Sequence, residues 1–174
     1  IDGGKNWNRL HNFDHTKTLN IHPTNPDIFL YGDSQQIWRT ENGEDFTKSF
    51  QSKYSAGPAD TSWSSIAFFP KDPSIVIASI KGRYPRGDSG GGEIYVSKDG
   101  GKSFKEINVK LPVTTVLLFD QTDSNKIFIG TDEGVLLSED FFKSSDNILS
   151  VTGVTSLNTL DGKKLIATSI DGIH

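Results

Sequence analysis

Short apolar runs of strand length, separated by turn residues, recur along the whole chain and predict its elements. One set lies at 18–23, 64–70, 114–120 and 155–161, and a second follows at 27–33, 74–80, 126–132 and 164–170. Between the two sets stand turn formers: Pro23-Thr24-Asn25-Pro26, Pro70-Lys71-Asp72-Pro73, residues 120–125, and Asp161-Gly162. A third set occupies 36–41, 92–98, 134–140 and 172–174, and a fourth strand is expected after it, as at 104–110. Runs this short with β-branched and aromatic residues read as strands, because a helix needs a longer amphipathic stretch. Four antiparallel strands in units of roughly 40 to 50 residues are the blades of a β-propeller. The fold predicted is all-β, with about four blades, and is expected to be part of a larger ring.

A second periodic feature sits between the third and fourth strands of each unit. Its best copy is Ser97-Lys98-Asp99-Gly100-Gly101-Lys102-Ser103-Phe104, which follows the pattern Ser-X-Asp-X-Gly-X-Thr/Ser-aromatic. Asp2, Gly4 and Trp7 form a copy without the leading serine. At 39–46, Glu41 stands for the aspartate beside Gly43 and Phe46. Ser138-Glu139-Asp140 begins a fourth copy that is expected to decay, with Phe142 at the glycine position and Ser145 at the aromatic one. The acidic positions 2, 41, 99 and 140 are 39, 58 and 41 residues apart. Such a hairpin needs glycine where φ is positive, at Gly4, Gly43 and Gly101, and a short acid to accept hydrogen bonds from its own turn. The aromatic residue, Trp7, Phe46 or Phe104, is expected to tuck between sheets and lock one blade onto the next. These roles are internal. One carboxylate per hairpin is too few for a calcium cage, so no metal and no cofactor are expected.

With these residues the pattern resembles the Asp-box repeat, also called the BNR or sialidase-type repeat. Such repeats occur in sialidases, xyloglucan-degrading glycoside hydrolases, the sortilin family of receptors and photosystem II assembly factors. The stretch 91–104 is most similar to the sortilin-type and xyloglucanase-type propellers, and the resemblance runs over the whole chain. It implies a propeller with Asp-box hairpins. It leaves function open, because the repeat serves enzymes and receptors alike.

Composition narrows the partners. Eighteen basic and 22 acidic residues are interspersed along 174 positions, giving a net charge of -4 and no basic run, so nucleic acid is not an expected partner. The longest apolar piece, at 113–119, is strand-sized, and no membrane insertion by this segment is expected. Cysteine is absent, which rules out disulfides and thiolate metal sites. The chain divides into a single propeller segment over 1–174. Residues 1–13 are expected as the outer strand of a blade closed elsewhere, followed by blades at 14–50, 51–110 with long loops, and 111–150, and an incomplete blade at 151–174. Further chain or another subunit is expected to complete the ring.

Strand order puts the hairpins on one face and the loops that break the period on the other. Those loops are 51–62, with Trp63 just beyond, and 81–91. Tyr54, Trp63, Arg83, Tyr84 and Arg86 are the candidate ligand-binding residues there, suited to a sugar or peptide by stacking and bidentate hydrogen bonding. Arg86-Gly87-Asp88 matches the integrin-read tripeptide, a match short enough to arise by chance. His11 and His15 have helical metal-pair spacing without a helix to carry them. Asp14 and Asp60 are the weak catalytic candidates, and with Asp33 and Asp132 they make up the carboxylates from which a glycosidase pair would be drawn. The arginine triad with a tyrosine and glutamate that the sialidase likeness implies is not assignable, nor are the xyloglucanase aspartates. The preferred reading is a non-catalytic binding or scaffold module for a protein, peptide or carbohydrate ligand, sortilin-like, in an extracellular, periplasmic or organelle-lumen compartment. The alternative is part of a glycoside hydrolase working with paired aspartates.

Overall fold

The computed structural model describes residues 4–7, 9, 16–33, 36–52, 62–81, 92–160 and 164–174. Blade 1 comprises β1 (Thr18–Ile21), β2 (Phe29–Gly32), β3 (Gln36–Thr40) and β4 (Phe46–Gln51). Blade 2 comprises β5 (Ser62–Phe68), β6 (Val76–Lys81), β7 (Glu93–Ser97) and β8 (Lys105–Ile107). Blade 3 comprises β9 (Thr114–Phe119), β10 (Ile127–Thr131), β11 (Val135–Ser138) and β12 (Asp146–Leu149). Blade 4 holds β13 (Val154–Leu160), β14 (Lys164–Ser169) and β15 (Gly172–Ile173). Within each blade the strands pair antiparallel in chain order, so every connection is a hairpin. The first strands β1, β5, β9 and β13 stand side by side, and the four blades form part of a propeller ring.

Period-2 alternation decides how blades pack, because each inner sheet has a neighbour on both faces. Ile66 and Phe68 of β5, with Val76, Ala78 and Ile80 of β6, turn toward blade 1, where they pack with Leu30 and Ile37. The intervening Ala67 and Ile77 join Leu117, Phe119, Ile127 and Ile129 of blade 3. The third seam is smaller, built on Val135, Val154, Leu157 and Ala167. Each fully buried aliphatic side chain contributes roughly 1.5–3 kcal/mol, so the two large seams carry most of the cohesion.

Polar side chains also cross the seams between first strands. The Phe68 amide donates to Asn20 Oδ1 at 3.2 Å, the Leu117 amide to Ser65 Oγ at 3.0 Å, and Thr115 Oγ1 donates to the Val154 carbonyl at 2.6 Å. Edge-facing backbone groups that no strand ladder reaches are satisfied this way. In blade 4, β15 is the edge strand of a three-stranded sheet. Most of the outer strand expected over 1–13 lies outside the described residues. Residues 4–7 and 9 are not in a strand.

Candidate functional site

The hairpin at 97–104 is closed by its own side chains. Ser97 Oγ donates to Asp99 Oδ1 at 2.7 Å and accepts from the amides of Asp99 and Gly101 at 3.2 and 2.8 Å. Asp99 Oδ1 accepts from the amides of Lys102 and Ser103 at 3.0 and 2.9 Å, and Oδ2 accepts from the Ser103 hydroxyl. Desolvation pushes the Asp99 carboxyl up. The Ser103 and Ser97 hydroxyls and the two amides outweigh it and hold the group at about 2. Gly101 has φ of +84°, and a Cβ there would lie 2.5 Å from Leu30 Cδ1 of blade 1, so both conformation and space require glycine. Phe104 packs against the core of blades 1 and 2, its ring 6.3 Å from Phe50.

The hairpin at 138–144 does not decay. Ser138 Oγ donates to Asp140 Oδ1 at 3.1 Å and accepts from the Phe142 amide at 2.9 Å. The Ser144 amide and hydroxyl donate to Asp140 at 2.8 and 2.7 Å, and these bonds lower the Asp140 carboxyl below its usual range. Phe141 and Phe142 take φ of 57° and 67°, a conformation that costs a bulky residue about 1–2 kcal/mol. Burial offsets the cost, because Phe142 is only 5% exposed and lies in the core between blades 2 and 3. The ring at the glycine position thereby takes over the packing expected of position 145, which is exposed.

In blade 1 the register differs from the expectation by one residue. Asn42 does the turn work assigned to Glu41: its Oδ1 accepts from the amides of Glu44 and Asp45 at 2.9 and 2.8 Å and from Thr40 Oγ1 at 3.1 Å. Thr40 Oγ1 accepts from the Gly43 amide at 2.9 Å, as Ser97 does from Gly101. Alignment on Gly43 and Phe46 hid this, because the turn is one residue shorter. Among the described residues, Phe46 packs edge-on to Phe29 and Tyr31 of its own blade, at 5.6 and 5.7 Å. Trp7 is 87% exposed and donates its indole N–H to the Gly4 carbonyl at 2.8 Å, so it locks no blade in the described chain. Asp2 lies outside the described residues.

Backbone bonds sort the loops by face. The amide of Gly100 donates to the Ser74 carbonyl and that of Phe141 to the Asn125 carbonyl, both at 2.9 Å, so hairpins and first turns share one face. On the other, Trp63 N donates to Asp33 O at 3.3 Å and Gly153 N to Asp132 O at 2.9 Å. The two long segments of blade 2 are rooted together on that second face, where Ser62 pairs with Lys81 and Ile80 with Glu93. Tyr54, Arg83, Tyr84, Arg86, Asp14, Asp60, His11, His15 and the 86–88 tripeptide lie outside the described residues.

Trp63 is not a stacking platform. It is 0% exposed between blades 1 and 2, edge-on to Tyr95 and Phe50 at 5.3 and 5.9 Å, and its buried indole N–H has no hydrogen-bond partner among the described residues. A β-bulge between Trp63 and Ser65 breaks the alternation of β5 and turns position 63 into the same seam as Ile66 and Phe68. Asp33 is a turn residue, accepting from Gln36 N at 2.7 Å and Trp38 Nε1 at 3.1 Å.

A cavity of about 400 Å³ on the hairpin face went unnoticed in the sequence. Arg39, Glu41, Asn42, Asp45, Thr47 and Lys102 line it. Arg39, 7% exposed, donates Nε–H to the Gly100 carbonyl at 2.9 Å and Nη1–H to Glu41. Lys102 Nζ lies 3.5 Å from the same carboxylate. Hydrogen bonding and charge from Arg39, with Lys102 behind it, lower the Glu41 carboxyl. Its members come from two blades, and no local motif joins them.

No known family profile matches the chain, and no curated protein matches it by sequence. Solved structures do. An ancestral GH74 enzyme superposes with a TM-score of 0.70 at 20% identity, over 97% of this chain and 24% of that one. The GH74 enzyme of Niastella koreensis gives 0.64 at 16%, over 90% and 26%. YCF48 bound to D1 peptide gives 0.60 at 13%, over 90% and 48%. The chain thus spans about a quarter of the two GH74 enzymes and about half of YCF48. At these identities the likeness is one of fold, and that fold is the β-propeller.

Proposed function

We propose that this chain is part of a non-catalytic Asp-box propeller, sortilin-like, that binds a protein, peptide or glycan on the face opposite its hairpins. The observation that carries this reading is the shared root of the two long segments, where Ser62 opposes Lys81 and Ile80 opposes Glu93 on a blade packed from both sides. A rigid blade positions long loops at little entropic cost, which suits binding. Tyr54, Arg83, Tyr84 and Arg86 remain the proposed contacts. Asp33 serves its own turn, which weakens the case for it as a member of a catalytic pair. A peptide-bound YCF48 among the structural neighbours supports the binding reading, and the GH74 neighbours keep a glycoside hydrolase as the second one.

Leu19 and Ile21 on blade 1 and Leu160, Ile170 and Ile173 on blade 4 are exposed, which supports completion of the ring by further chain or another subunit. The compartment proposed is extracellular, periplasmic or an organelle lumen. Peptide and glycan arrays probed with the chain and with Arg83→Ala/Tyr84→Ala test the site: binding lost in the double variant at unchanged melting temperature is expected. Hydrolysis of β-glucan that disappears in Asp14→Asn or Asp60→Asn would overturn the non-catalytic reading.

A further inference from the structure

The cavity beside the hairpin of blade 1 has a built floor and an internal occupant. Arg39 is buried at the end of β3, where its bond to the Gly100 carbonyl holds it across the seam to blade 2. A guanidinium carries five N–H donors in a planar fork. Among the described residues, protein groups accept two of Arg39's, through Gly100 and Glu41, which leaves donors for a ligand in the cavity that Arg39 lines. Lys102 adds an exposed ammonium at the rim, contributed by the neighbouring blade. Glu41 is 59% exposed and has no part in its own turn, because Asn42 does that work. Its carboxylate instead spans Arg39 and Lys102.

We propose that Arg39 and Lys102 form a carboxylate-binding site for peptides, and that Glu41 fills it as a substitute for the ligand's own carboxylate. The chemistry selects a carboxylate over other ligands. One guanidinium N–H and the Lys102 ammonium already meet a carboxylate oxygen here, and the acidic Asp45 at the margin disfavours a dianionic phosphate more than a single carboxylate. Among the described residues the lining has no aromatic ring on which a sugar would stack. Side-chain and C-terminal carboxylates share this chemistry. The site is on the hairpin face, opposite the strand ends at Ser62, Lys81 and Glu93 from which the long segments of blade 2 start, and its described lining includes none of those segments.

The test titrates the full chain with three short peptides and follows the backbone resonances of residues 39–47 and 102 by NMR. Acetyl-Gly-Glu-Gly-amide presents a side-chain carboxylate, acetyl-Gly-Gly-Gly with a free C-terminus presents the terminal one, and acetyl-Gly-Gln-Gly-amide presents neither. Saturable shifts with one or both carboxylate peptides and none with the glutamine peptide are expected, and the responding peptide identifies the source. Glu41→Gln keeps an amide oxygen for Arg39 and removes the competing charge, so it tightens binding by about fivefold or more, as expected when an occluded site becomes available. Lys102→Gln, at an exposed position, weakens binding by a comparable factor. Equal shifts with the glutamine peptide, shifts confined to other residues, or no response in both the native chain and Glu41→Gln would overturn the proposal.

Discussion

The hairpins of blades 2 and 3 make the same hydrogen bonds with opposite residues at their tightest point. In blade 2, Gly100 and Gly101 take positive φ and Leu30 of the neighbouring blade fills the space beside Gly101. In blade 3, Phe141 and Phe142 take the same conformation, and the Phe142 ring itself fills the seam. What the turn demands is a backbone shape and a serine–aspartate pair to satisfy it. Apolar volume is needed at the seam from one side or the other. Glycine is one way to meet the first demand, and a buried aromatic meets both at some backbone strain.

The largest break in this comparison is Gly101→Phe. With Leu30 already in place, the ring has no room, and overpacking added to the strained φ is expected to cost about 3 kcal/mol or more. Urea unfolding measures it, and a native-like midpoint would show that the two seams are interchangeable. Phe142→Gly comes next. Losing a buried aromatic costs about 3–5 kcal/mol, and relief of the left-handed conformation returns about 1–2, leaving a net loss of about 2 kcal/mol. A stabilised variant would mean that strain, not burial, dominates there.

Blade 1 sharpens the comparison through its shifted register. Asn42→Ala is expected to lose about 1 kcal/mol, as for other side chains that satisfy turn amides, while Glu41→Ala, at an exposed ion pair, leaves the melting midpoint nearly unchanged. Equal losses in thermal melts would restore Glu41 to the turn. The smallest effect is in acid. The Asp99 carboxyl is lowered from 3.8 to about 2, so its contribution to stability is complete above 3.8 and disappears as pH falls through about 2. Asp140 is shifted in the same direction. Asp99→Asn is therefore expected to flatten the fall in unfolding midpoint between pH 4 and pH 2, whereas Asn42→Ala leaves that slope unchanged. An unchanged slope in Asp99→Asn would remove the carboxylate from the account.

The strand pattern was readable because alternation is a local property. Runs such as Ser64 to Phe68 and Val76 to Ile80 turn alternate residues to opposite seams whatever lies beyond them. The Asp99 hairpin was readable for the same reason, since its donors and acceptors fall within a few residues. Trp63 was misread because its position beside a long loop was visible and its burial was not. The Asn42 register was missed because aspartate and asparagine accept the same hydrogen bonds, and a single omitted residue moves the acceptor one place.

By itself, then, the sequence determined an all-β chain of repeated antiparallel blades and the chemistry that closes its best hairpin. Both follow from side-chain alternation and from hydrogen bonds over short separations. Only the tertiary structure decided which blade supplies the volume at each seam, that Phe142 can stand where glycine was expected, and that Arg39, Glu41 and Lys102 meet across a seam. Those outcomes depend on residues far apart in the chain, such as Leu30 and Gly101, whose approach is set by the packing of whole sheets.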